Sequence, residues 1–108
     1  MITAKMHTDA KDYYTGFTIS GHADGYEGDG EYDLICAAVS AITLTIAQGL
    51  QDVLHLPGSF DSKSGFLHVD IAPSQDEKSQ VLLETMVHGL QSIQAQYPDK
   101  LIIIQIKG

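Results

Sequence analysis

Residues 34–54 leave this chain few folds to choose from. The stretch reads LICAAVSAITLTIAQGLQDVL. As a helix it carries apolar or small residues on nearly every face, from Leu34 and Ile35 through Ile42 and Ile46 to Val53 and Leu54. A helix apolar all round is buried on more than one side. In a chain of 108 residues, one side has to meet a sheet and another a second helix or a second subunit. Asp33 is a good N-cap for this helix, and Pro57-Gly58 closes the unit. The apolar run from Leu34 to Ile46 is broken by Ser40, Thr43 and Thr45. It is expected to be too short to span a bilayer.

The remaining segments supply the sheet. From Ile2 to Thr8, Ile2, Ala4 and Met6 alternate with Thr3, Lys5 and His7, a strand with one apolar face. Asp9-Ala10-Lys11-Asp12 is a polar turn. Tyr13 to Gly21 is a second strand, rich in aromatic and β-branched residues, so the pair is expected to form an antiparallel hairpin. Phe17 and Ile19 share one face of it, and Thr18, Ser20 and His22 the other. Gly65 to Ile71 alternates again. Ser74-Gln75-Asp76-Glu77 has the form of a capping box, opening a helix with a stripe of Val81, Leu82, Met86, Leu90 and Ile93. Leu101 to Ile106 has the length and isoleucine content of a central strand buried on both faces. The order is ββαβαβ. It predicts one α/β domain over residues 1–108, a two-layer sandwich in which two helices pack on a mixed four-stranded sheet. The helices are natural crossovers between parallel strands.

The formal net charge is −8. Phosphate binding needs clustered Lys and Arg, so direct nucleic-acid binding is not expected. A basic partner would be steered toward such a surface. The single cysteine excludes an internal disulfide and suits a reducing compartment. Met1 to Lys5 opens no long apolar run, so no signal peptide is evident. The expectation is a soluble cytoplasmic protein without a membrane partner.

The chemistry concentrates between residues 20 and 40. His22 leaves the second strand on its polar side. Asp24 to Tyr32 is acidic and contains Gly25, Gly28 and Gly30, a composition suited to a substrate-binding loop or lid. Cys36 follows in what Asp33 would make the first turn of the long helix. Unpaired N–H groups and the positive end of a helix favour a thiolate, and the same donors can hold an oxyanion. A nearby imidazole, for which His22 is the best placed of five histidines, would complete a cysteine nucleophile site. Against this stands the ordinary fate of a lone cysteine in an Ala- and Ile-rich helix, a small buried hydrophobe. His7 and His68 lie opposite the apolar strand faces, His55 at a helix end, and His88 on the second helix. There is no paired CxxC or HxxxH, so no metal or other cofactor is expected. The carboxylates Asp24, Glu27, Asp29 and Glu31 lack EF-hand spacing, and the glycines lack the order of a phosphate loop.

Gly21-His22-Ala23, the glycine-rich loop and Asp33-Leu34-Ile35-Cys36-Ala37-Ala38-Val39-Ser40 together resemble the bacterial ribosomal-processing cysteine protease family (Prp, YsxB-like). The resemblance extends over the whole chain. It implies a small dimeric α/β sandwich that removes a short N-terminal extension from a large-subunit ribosomal protein, cutting after phenylalanine. It also implies Cys36 as nucleophile and His22 as base. Gly21, Asp33, Ser40 and the loop glycines Gly25, Gly28 and Gly30 would support geometry or bind substrate. The alternative is a non-enzymatic ribosome-assembly module with a structural Cys36. A redox-sensing thiol is a third possibility that nothing in the sequence favours.

Overall fold

A computed structural model describes residues 1–22, 30–71 and 76–108, without the side chains of 30–33. Strand β1 (Ile2–Thr8) and strand β2 (Tyr14–Ser20) form the expected antiparallel hairpin. Their turn is held by the Asp9 carboxylate, which accepts from the N–H of Lys11 and of Tyr13 at 2.8 and 3.0 Å, an Asx turn. Helix α1 (Gly30–Gln48) runs on into a short π-helical turn, Gly49–Val53. Strands β3 (Gly58–Lys63) and β4 (Phe66–Ile71) form a second hairpin. Helix α2 (Glu77–Gln96) and strand β5 (Leu101–Lys107) complete the order ββαββαβ.

The sheet therefore has five strands, in the spatial order β3-β4-β2-β1-β5, where four were expected. The missed strand, GSFDSK, carries one large apolar residue, Phe60, and is exposed at nearly every position. Edge strands need no buried face, so the period-two signal is absent. The run from Leu101 to Ile106 is also an edge rather than a centre. It pairs parallel to β1 on one side, and Ile102, Ile104 and Ile106 are 38 to 42% exposed. The strands that each helix links, β2 with β3 and β4 with β5, point the same way, but residues 65–71, expected as the parallel partner reached through α1, instead form β4 and pair antiparallel to β2. Because β4 lies between β2 and β3, and β2 and β1 lie between β4 and β5, the linked strands are not neighbours.

The core lies on one face of the sheet. Ile2, Ala4, Met6, Phe17, Ile19, Leu67, Val69 and Leu101 point to it and meet both helices in one cluster. From α1 it takes Ile35, Val39 and Ala47, with Leu50 from the π turn. By length and composition Leu34–Val53 is in fact apolar enough to cross a membrane, contrary to the shorter run read from the sequence. Its buried stripe against the sheet is that of a core helix. From α2 the core takes Leu83, Met86, Val87 and Leu90. Val81, placed in the stripe from sequence, is 56% exposed, because the buried face follows Ser79, Leu83, Met86, Val87 and Leu90. The N-cap is Asp76, which accepts from the Lys78 N–H at 3.1 Å. The predicted capping box begins at Ser74, outside the described residues. Tyr14 ties β2 to α2. Its backbone N–H donates to Gln80 Oε1, and its hydroxyl donates to the Glu84 carboxylate, each at 2.8 Å. Burial, then Glu84, pushes the phenol up to about 12.

Candidate active site

Strand β2 delivers His22 at its C-terminal end. Just before it, Gly21 adopts φ +94°, a conformation that L side chains rarely enter. A Cβ there would also run into the Met1 carbonyl oxygen. The Gly21 N–H donates to the Gly65 carbonyl at 3.0 Å, and the Met1 α-amine donates to the His22 carbonyl at 2.6 Å. The backbone carrying the imidazole is thus fastened to the start of β1 and to the turn between β3 and β4.

Helix α1 supplies the facing wall. Cys36, Val39, Ser40, Thr43 and Leu44 line the cavity, at the i, i+3, i+4, i+7 and i+8 spacing of one helical face. Cys36 is half-buried and packs against the core. The cavity, of about 280 Å³, is completed by Gly21 and His22, by Ile2 and Ile19 beneath, and by the hairpin residues Ser62, Lys63, Gly65, Phe66 and Leu67. Four of the residues singled out from sequence, Gly21, His22, Cys36 and Ser40, therefore converge on one space. They come from two elements separated in the chain by the glycine-rich segment. The arrangement offers a thiol and an imidazole to one bound group, with apolar surface beside them and a lysine at the rim.

The start of α1 differs from expectation. The helix opens at Gly30, so Asp33 is not its N-cap and Cys36 is its seventh residue. The N–H groups left without intrahelical acceptors belong to residues 30–33, and the influence of a helix dipole fades beyond the first turn. The predicted first-turn setting for the thiol is therefore corrected. Gly25 and Gly28, with Asp24, Glu27 and Asp29, lie outside the described residues. Gly30 forms the first position of α1.

The hairpin wall was missed from sequence. Its signal was the Ser64-Gly65 pair ahead of an alternating strand, a two-residue turn of the hairpin type. Lys63 lies over the Phe66 ring, 5.3 Å from its centroid, a cation–π contact at the cavity rim. His7 and His68 stand on the opposite, open face of the sheet, as their strand positions predicted. His88 sits on the exposed side of α2, 3.4 Å from Glu84. Among the described residues no three His, Cys, Asp or Glu side chains group so as to hold a metal.

Comparison with known proteins first places the chain in a class, the cysteine proteases, which sets aside the non-enzymatic alternative. The family model described as cysteine protease Prp matches residues 1–102, and the chain belongs to that family. The ribosomal processing cysteine protease Prp of Staphylococcus aureus is 25% identical over 103 residues, covering 94% of this chain and 95% of the relative. Among solved structures, the essential ribosomal processing protease Prp from S. aureus in complex with a substrate peptide superposes with a TM-score of 0.86 at 21% identity. That match covers 98% of this chain and 100% of the other. A Streptococcus mutans protein gives 0.81 at 24% identity, covering 100% and 96%. These likenesses establish the α/β fold.

Proposed function

We propose that this chain is a processing endopeptidase in which Cys36 is the nucleophile and His22 the acid and base. The observation that carries the proposal is the convergence of His22 and Cys36 on one cavity from separate elements, in a chain of a cysteine protease family. His22 takes the thiol proton, and the Cys36 sulfur attacks the scissile carbonyl carbon. The tetrahedral intermediate collapses as the C–N bond breaks, and imidazolium returns the proton to the leaving amine. Water, deprotonated by His22, then attacks the thioester and releases the new C-terminal acid and the thiol. Ser40, one helical turn beyond Cys36, has its place on the cavity wall, where its hydroxyl can donate to the developing oxyanion.

The substrate proposed is a large-subunit ribosomal protein carrying an N-terminal extension, cut after phenylalanine. The relative's ribosomal processing role supports it. So do the apolar walls formed by Ile19, Leu44, Phe66 and Leu67, which suit an aromatic side chain. A net charge of −8 suits a basic ribosomal protein by steering. The site of action proposed is the cytoplasm, and the form is a homodimer. Support for the dimer comes from apolar surface left on the helices. Leu34 is 71%, Leu44 40%, Val53 73% and Val81 56% exposed.

The test is to follow by mass spectrometry a ribosomal protein precursor incubated with the purified chain. The expected result is one defined shortening, absent with Cys36→Ala and slowed by about 10²-fold or more with His22→Ala. Cleavage that persists at the wild-type rate in Cys36→Ala would remove this mechanism. Rapid iodoacetamide labelling of Cys36 below neutral pH, slowed in His22→Ala, is the corresponding result for the thiol alone.

A further inference from the structure

A histidine at a strand end, with a glycine on its N-terminal side, has wide rotational freedom unless something seats its ring. Gly65 does so in two ways. Its carbonyl accepts the Gly21 N–H at 3.0 Å, fixing the backbone one residue before the imidazole. Its bare Cα lies against the ring itself. A Cβ built at Gly65 would run into His22 Nε2 and lie 2.9 Å from Cε1 and 3.2 Å from Cδ2. The contact is with one end of the ring, Nε2 and the two carbons bonded to it, and Nε2 is a candidate proton carrier.

Two separate demands therefore meet at this position. The turn requires φ +70°, which Gly, and also Asn, adopts. With the ring where it stands, a side chain at residue 65 would overlap Nε2, so any residue but Gly displaces the imidazole. Turn chemistry by itself would leave asparagine acceptable, and the ring contact does not. We propose that Gly65 is a positioning residue for the proteolytic reaction. The β3–β4 turn serves as the seat that holds the His22 imidazole at the angle from which it reaches into the cavity shared with Cys36. The inference rests on the reading of His22 and Cys36 given above.

The discriminating variant is Gly65→Asn, which keeps the left-handed turn and obstructs the ring. Displacing a catalytic group by about 1 Å can cost on the order of 10²-fold. The expected result is a fall of about that size in kcat, with KM within about two-fold and an unchanged thermal midpoint. The pH profile of Cys36 alkylation in Gly65→Asn should become that of His22→Ala, and Gly65→Asn added to His22→Ala should change it no further. Wild-type kcat and alkylation profile in folded Gly65→Asn would overturn the proposal. So would equal slowing of alkylation in both backgrounds, since the residue would then act independently of His22. A measurement on the wild-type protein stands beside these in case the variant does not fold. Nuclear Overhauser contacts between the His22 ring protons and the Gly65 α-protons are expected, and their absence in the assigned spectrum sinks the idea. If instead Cys36→Ala and His22→Ala both cleave normally, the reading of the dyad fails, whatever Gly65 does.

Discussion

His7, Thr18, His68 and Asp70 form a chain of hydrogen bonds on the sheet face away from the helices. His7 Nε2 lies 2.9 Å from Thr18 Oγ1, which lies 2.7 Å from His68 Nδ1, and His68 Nε2 lies 2.9 Å from Asp70 Oδ2. A carboxylate only accepts, so His68 carries its proton on Nε2. In the neutral network its Nδ1 then accepts from the Thr18 hydroxyl, which in turn accepts from His7 Nε2–H. Burial, then the charge of His68, holds His7 below the ordinary histidine value of 6.5. A depressed folded value means that the unfolded chain binds more protons in the window below 6.5. The stabilisation is therefore complete above 6.5 and is lost as pH falls through the folded value. Thermal midpoints between pH 5 and 7.5 should rise with pH, and His7→Gln should flatten part of that rise. An identical slope in the variant would assign the dependence elsewhere. The positions of these histidines opposite the apolar strand residues were legible from alternation. Their joining through Thr18 was not, because it depends on the β1–β2 and β2–β4 registers, which no local pattern encodes.

At the scale of elements, the readable segments were those with a strong apolar period. The first hairpin, the long helix and the alternation of β4 all followed from it. Strand β3 escaped because exposed Ser, Asp and Lys carry no period. The start of α1 was displaced because Asp33, a good cap in isolation, sits inside the helix rather than before it. On α2, five apolar positions were nominated, and Val81 proved to face outward while Leu83 and Val87 faced inward. A helix rich in leucine and valine offers two nearly equivalent stripes, and the sheet chooses between them. Leu83, fully buried, should cost about 2–5 kcal/mol as Leu83→Ala. His88→Ala, on the outer side, should stay within about 0.5 kcal/mol. Urea midpoints of the two variants check the assignment, and equal costs would contradict it. The proposed pairing of His22 with Cys36 was open to nomination because Gly21-His22 ends a strand and Cys36 lies on the next helix, and both line one cavity. Its third wall was hidden with β3.

At the scale of the whole molecule, all the helical mass lies on one side of a five-stranded sheet, and the outer surface of the helices retains apolar residues. An apolar groove of about 690 Å³ between them is lined by Ile46, Val53, Leu54, Val81 and Leu82. As a homodimer, the chain should sediment with twice the mass of one copy. The double variant Val53→Lys and Val81→Lys should reduce that mass to one copy without loss of secondary structure. A wild-type protein of single-chain mass at micromolar concentration would remove the dimer from the proposal.

The parallel pairing of β1 with β5 joins Ile2 to Leu101 and Thr8 to Lys107. During synthesis, β1 leaves the ribosome before the other strands, yet its outer neighbour β5 emerges after all of them. Until β5 emerges, β1 lacks its partner on that edge of the nascent sheet, and Leu101 is missing from the floor of the core. The fold therefore cannot close progressively from its N-terminus. Completion awaits the final strand, so a transcript truncated before Leu101 should yield a chain that never reaches the native sheet.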